Sequence, residues 1–268
     1  MTSYDVASFE RKREPHLIRM LGRAGRVPAA LAGAVLIWWV LSALPGVNPV
    51  FLPNPPAVAR AFVELWQDGT LLGDLRVSLG RAAIGFAIGS ILGVLVGLLT
   101  SRTRLIGHAV TPMLMLLRPI PAIALVPLAI VWFGIGEGSK HFVIAYTVFL
   151  AVWLSTHHGA SSVAGTYIRA SRSLGAGHLR EFFEVVVPAA APHIVAGLRM
   201  GAALAFLSLV AAELTGASSG IGFRIQEARQ FMQTDVMFVN LILLGVLGAA
   251  LDAAFVAASR RLVHWEVM

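Results

Sequence analysis

The sequence predicts an all-α membrane protein with about six transmembrane helices, and three observations lead there. Of 268 residues, 57% are hydrophobic and 13% charged, with a mean hydropathy of +0.78, which leaves too little polar surface to cover a soluble globule. Six apolar runs approach the length needed to cross about 30 Å of hydrocarbon at about 1.5 Å per residue. The basic residues behind the net charge of +7 gather at the ends of those runs instead of forming one patch for nucleic acid. There is no cysteine, so disulfides, thiolate metal sites and thiol nucleophiles are excluded.

The first run, 27–44, follows a basic N-terminal tail, 1–26. A cleaved signal peptide is the rival reading, but the run is long for one, and Trp38-Trp39 and Pro45-Gly46 suit a retained span better. Asn54 followed by Pro55-Pro56 opens a helix. Val58, Phe62 and Leu65 then recur at helical spacing beside Trp66, as in a helix lying at the outer membrane surface. In the second run, 79–100, Gly85, Gly89, Gly93 and Gly97 recur every four residues, a stripe that lets another helix approach closely.

The third run, 109–133, carries Pro112, Pro119, Pro121 and Pro127, each removing a backbone donor and bending or interrupting the helix. Carbonyls freed at membrane depth are tolerated where protein or a water-filled cavity satisfies them, so Pro119 and Pro121 become translocation-path candidates. Arg118 beside them is a third, unless it snorkels to cytoplasmic headgroups. The fourth run, 141–156, is short. The fifth, 193–215, ends near Glu213, another path candidate whose blander reading is a structural ion pair or cap. Asp252 in the sixth run, 236–258, and Arg81 at the start of the second invite the same pairing argument. With one short run and one broken, the span count lies between five and seven.

Orientation follows from charge. With both termini on one side, that side receives Arg11, Lys12, Arg13, Arg19, Arg23, Arg26, Arg102, Arg104, Arg169, Arg172, Arg180, Arg260 and Arg261. The opposite loops receive only Arg60, Arg76, Lys140, Arg224 and Arg229. Basic loops stay inside, so both termini, including the tail 259–268, are predicted cytoplasmic around a membrane domain of 27–258. Arg224, Glu227, Arg229 and Gln230 in the last outer loop are placed for polar docking contacts.

The loop 158–192 then falls in the cytoplasm. Within it, Arg169-Ala170-Ser171 is followed after three residues by Gly175, flanked by Leu174 and Ala176, and after nine more by Val185-Val186-Val187-Pro188. This is a charged, helix-forming segment with a glycine for a close turn and a proline for re-entry at a fixed angle. Taken alone it is also compatible with an amphipathic helix lying on the bilayer.

This spacing resembles the motor-docking loop of permeases of type I ATP-binding-cassette importers, whose pattern is E-A-A, three residues, Gly, nine residues, I-x-L-P. The nitrate, sulfonate and taurine branch is the nearest in character. Further segments carry the resemblance: PNPPAV at 53–58, SLGRAAIGF at 78–86, LRPIPAIALVPLAIVWFGIGEGSK at 117–140 and VAAELTGASSGIGF at 210–223. The resemblance implies a permease fold with a cytoplasmic coupling helix, driven by alternating access. It also implies two ATPase subunits, a second permease subunit (taken as an identical copy), an extracytoplasmic solute-binding protein and a lipid bilayer of the inner, plasma membrane. ATP and Mg²⁺ would sit on the ATPases, with no cofactor here. By the same resemblance Arg169, Ala170, Ser171, Leu174, Gly175, Ala176, Val185, Val187 and Pro188 form the coupling site, and the solute is a small anion, with substrate choice resting largely on the binding protein. Arg169 departs from the family's leading acid, which calls for a compensating acid on the ATPase.

No residue set for catalysis appears. There is no phosphate-binding G-x-x-x-x-G-K-[ST], and GIGEGSK at 134–140 lacks that spacing. There is no H-E-x-x-H, and adjacent His157 and His158 point about 100° apart on a helix, so no metal site is expected. Ser155 has no acid nearby in sequence. The chain is not expected to be an enzyme. The alternative is a secondary transporter using intramembrane charges, which would show repeat-related interrupted helices and leave the loop unexplained.

Overall fold

The computed structural model describes residues 16–262, and every regular element among them is helical. Arg11, Lys12 and Arg13 of the expected basic tail, and residues 263–268 of the C-terminal tail, lie outside the described residues. The chain divides into two compact units, Met1–Ala59 and Arg60–Met268.

In the first unit, α1 (His16–Ser42) begins ahead of the apolar run expected from 27 and contains Pro28. Its described apolar stretch, Pro28–Ser42, is shorter than a full crossing. Trp38 Nε1 donates to the Pro53 carbonyl at 3.0 Å, holding the connecting segment back against the helix. Asn54 Oδ1 then accepts the Ala57 N–H at 2.8 Å and caps α2 (Pro55–Gln67). Pro55 takes the first helical position, where its missing donor has no partner to lose.

In the second unit, α6 (Glu137–Ser161) is sandwiched between α3 (Thr70–Arg102) and α9 (Val187–Gly216). The glycine stripe of α3 faces α6 within the same subunit. A Cβ at Gly89 would lie 2.5 Å from the Ala145 carbonyl oxygen, one at Gly93 2.8 Å from Val152 Cβ, and one at Gly97 2.6 Å from Thr156 Cβ. On the other side of α6, a Cβ at Gly197 of α9 would lie 2.6 Å from Ser155 Cβ. Only bare backbone allows both approaches. Ile144, Val148 and Val152 of α6 fill the space between Ala82 of α3 and Ala205 and Leu209 of α9, forming the principal core cluster.

This sandwich explains the weak signal of the fourth run. The helix is 25 residues long, with 56% of its most apolar window buried inside the protein and a hydropathy of 1.3, against 11% and 2.1 for α11 (Thr234–Leu262). A helix surrounded by protein can keep polar groups that a lipid-facing helix cannot. Trp153, fully buried, donates from Nε1 to Thr100 Oγ1 at 3.2 Å, and that hydroxyl also meets His157 Nδ1 at 2.9 Å.

The third run is two helices, α4 (Arg104–Leu117) and α5 (Ala122–Phe133), bent by 105° at the break between them. Pro119 and Pro121 remove two donors within three residues and make the break, whereas Pro112 and Pro127 sit inside their helices. Among the described residues, four helices are long and apolar enough to cross a membrane, and this pair is a fifth if counted as one span.

The remaining elements are short: α7 (Gly165–Ser173), α8 (His178–Glu181) and α10 (Ile221–Gln230). They place α7 and α8 at one end of the bundle and α10 at the other.

Candidate coupling and translocation sites

At the α10 end, charges from four helices close on one another. Arg81 of α3 donates from Nε and Nη2 to the two Glu137 carboxylate oxygens at 2.7 Å each, and from Nη1 to Glu213 Oε1 at 2.8 Å and Ser219 O at 2.6 Å. Glu213 is 1% exposed, and its carboxylate also accepts the Ser78 hydroxyl at 2.8 Å and the Gly222 N–H at 2.8 Å. Beside it, Asp74 accepts the Gly220 N–H and Arg224 Nε, both at 2.9 Å, and Glu227 accepts Arg224 Nη1 at 2.6 Å. Burial opposes the Arg224 charge, but Asp74 and Glu227 hold its pKa above the ordinary value. Arg224, one of the groups expected to dock outward, reaches Asp74 of α3, while Glu227 bonds to Arg224 on their own helix. Glu213 sits in the ion pair that its blander reading anticipated.

At the α7 end, the helix stops in a Schellman motif. The Gly175 N–H donates to Arg172 O at 2.9 Å and the Ala176 N–H to Ser171 O at 3.0 Å, while Gly175 takes φ +82°. Leu174 precedes the turn and is 87% exposed, and Leu179 and Phe183 beyond it are also exposed. The whole of α7 has no buried residue. Arg169 is exposed and reaches only Thr166 Oγ1, at 3.2 Å.

What ties this end to the bundle is Glu181, a residue the sequence did not single out. Its carboxylate, 3% exposed, accepts Arg172 Nε from α7 at 2.6 Å and Arg102 Nη2 from the end of α3 at 2.9 Å. Glu181 raises the Arg172 pKa by hydrogen bond and by charge. After α8 the chain widens into a π-helical turn, Phe182–Val186, in which the Val187 N–H donates to Phe182 O, and α9 then runs on through Pro188. A proline in a regular helix lacks a donor and presses on the carbonyl four residues back. The π turn places that strain where the ladder is already open, so the chain continues through Pro188 into α9. Val186 is fully buried against Ala160 and Ala190, while Val185 and Val187 on either side are half-buried.

Between the two ends lies a cavity of about 430 Å³. Arg118 and Pro121 line it from the α4–α5 break, Tyr146 and Thr147 from α6, and Ser208 from α9. The Tyr146 hydroxyl donates to Leu117 O at 2.7 Å, which fixes the break against α6. Arg118 follows Leu117, whose carbonyl meets Tyr146 within α6, so it stands partway along the bundle. The structure thus brings Arg118 and Pro121 together in one wall and places Glu213 in the α10-end network. Elsewhere, Asp252 of α11 finds its partner in Arg199 of α9, through two hydrogen bonds of 2.8 and 2.9 Å.

A helical membrane bundle with a broken span over a cavity, and a short exposed helix stapled to its core, has the character of a membrane-transport permease. The chain belongs to the family of binding-protein-dependent transport system inner membrane components, which its residues 85–264 match. Among its relatives are a Bacillus subtilis permease protein named for aliphatic sulfonates, SsuC, 37% identical over 91% of this chain and 89% of the relative, and the taurine transport system permease protein TauC of Escherichia coli, 34% identical over 88% of each. The nitrate import permease protein NrtB of Synechocystis is 31% identical over 94% of each. In fold, the chain matches a chain of the inward-facing MetNI methionine ABC transporter, with a TM-score of 0.62 at 22% identity over 74% of this chain and 98% of that one.

Proposed function

We propose that this chain is the translocating subunit of an ATP-driven importer for a small anion of the sulfonate, taurine or nitrate kind. A second copy of the chain, two cytoplasmic ATPases holding ATP and Mg²⁺, and an extracytoplasmic solute-binding protein complete the assembly. Both termini face the cytoplasm. The observation that carries this reading is α7: a helix with no buried residue, stopped by Gly175, presenting exposed Leu174 beside Leu179 and Phe183, and joined to α3 through Glu181. Such a helix has little reason to keep its shape unless a soluble partner grips it. The relatives' names and the free charge of Arg118 support an anionic solute.

In mechanism, nucleotide binding draws the ATPases together, and α7 moves with them. Arg172 pulls on Glu181, Glu181 on Arg102, and α3 carries the displacement into α6 through the glycine contact. Energy enters as contact geometry, since this chain performs no bond chemistry. Arg169, Ala170, Ser171 and Ala176 build the coupling helix and its cap; Val185, Val187 and Pro188 shape the junction to α9.

The test is reconstitution. Proteoliposomes holding the permease with its ATPase are expected to take up taurine, an alkanesulfonate or nitrate only when ATP and the loaded binding protein are both present. Uptake driven by an ion gradient without ATPase would favour the secondary-transporter reading instead.

A further inference from the structure

Arg118 is exposed to the cavity, and its guanidinium has neither a carboxylate nor a hydrogen-bond partner among the described residues. That sets it apart from Arg81, Arg102, Arg172, Arg199 and Arg224, each of which is paired. An unpaired cation at membrane depth is costly and persists where water or a ligand compensates it.

The rest of the wall sharpens the point. No acidic residue lines the cavity, and its three hydroxyls already donate elsewhere: Tyr146 to Leu117 O, Thr147 to Val143 O and Ser208 to Leu204 O. Arg118 is therefore the wall's one charged donor. Most of the remaining lining is apolar, including Ile123, Leu150, Leu154, Met200 and Leu204.

We propose that this cavity is a solute-binding subsite within the membrane domain, in which Arg118 holds the head of a small monovalent oxyanion and the apolar wall receives a short aliphatic tail. The proposal rests on the importer reading and adds to it that the permease itself, besides the binding protein, selects for negative charge. A planar guanidinium can hold two oxygens of a sulfonate or nitrate side by side, which an ammonium cannot do. The three hydroxyls, with their protons committed, offer the solute no second donor, so nothing in the wall balances a second negative charge. A doubly charged anion such as sulfate is accordingly rejected.

The test uses the complete transporter, permease with ATPase and binding protein, in neutral-lipid proteoliposomes, with uptake of butanesulfonate and nitrate measured at saturating binding protein. Arg118→Gln is expected to lower the maximal uptake rate at least tenfold while the half-saturating concentration of binding protein stays the same, because docking occurs at another surface. Arg118→Lys, keeping the charge and losing the fork, is expected to fall between the two. Size-exclusion chromatography shows whether the complex stays assembled. Uptake by the Gln variant within twofold of the unsubstituted chain overturns the proposal, and so does dissociation into single subunits, which would make Arg118 an interface residue. If the unsubstituted chain imports none of the anions, the importer reading falls, and this inference falls with it.

Discussion

The two ends of the bundle handle buried charge in opposite ways. At the α10 end, Arg81 and Glu213 are both buried, at 4% and 0% side-chain exposure; Glu137 meets the other Arg81 nitrogens, and a hydroxyl and backbone groups meet the rest. At the α7 end only the carboxylate is buried: Glu181 is 3% exposed, while Arg102 and Arg172 are 29% and 57% exposed. A pair in which both members are buried is stiff, because moving them apart strands a charge in a medium that solvates it poorly. A buried anion gripped by solvated cations can change its partners' angles at little cost, because water compensates the arginines as they move. The first arrangement suits a lock, the second a joint.

The comparison can be broken by substitution. The largest effect is expected at the lock, where Glu213→Ala leaves Arg81 without its buried partner. A loss of about 3 to 5 kcal/mol is expected, read as a drop in thermal unfolding temperature in detergent. A loss below 1 kcal/mol would mean that water reaches this site and that the lock is not sealed. Next comes the helix contact both ends depend on. Gly89→Ala forces a methyl against the Ala145 carbonyl and should cost about 1 to 3 kcal/mol, whereas Gly80→Ala on the same helix, with nothing within 4 Å of the new Cβ, should cost nothing. Equal effects at the two positions would contradict the packing.

At the joint, Gly175→Val places a branched residue at φ +82° and should cost roughly 1 to 2 kcal/mol locally, unwinding the last turn of α7. The readout is a several-fold fall in solute moved per ATP hydrolysed, with membrane insertion intact. The smallest effect on folding is expected at Arg169, whose exposed side chain touches only Thr166. Arg169→Glu should change stability by less than about 0.5 kcal/mol, and any larger consequence must appear in ATPase binding.

Much of this was legible in the sequence because it is written at short range. Four glycines at intervals of four announce a close helix contact, and Pro119 and Pro121 together announce a break. The coupling frame around Gly175 carries its own turn chemistry. What the sequence concealed is long-range. Arg81 and Glu213 are 132 residues apart and Arg102 and Glu181 are 79 apart, so no spacing rule connects them. Glu181 looked like one more charge in a charged loop, and only its burial distinguishes it. The fourth run looked weak for the reason that makes it central: a helix enclosed by protein on two faces need not be apolar enough to satisfy lipid. Pro112, Pro127 and Pro188 show that a proline marks a missing donor, while neighbouring geometry decides whether the helix stops.

The proposed grip of a soluble ATPase on α7 from the cytoplasm can be tested directly. The chain has no native cysteine, so a single Leu174→Cys substitution can be labelled cleanly with a membrane-impermeant maleimide. In vesicles of defined orientation, labelling is expected only when the cytoplasmic face is outward, and it should be suppressed when the ATPase is bound. Labelling from the extracytoplasmic side, or labelling unaffected by the ATPase, would contradict it.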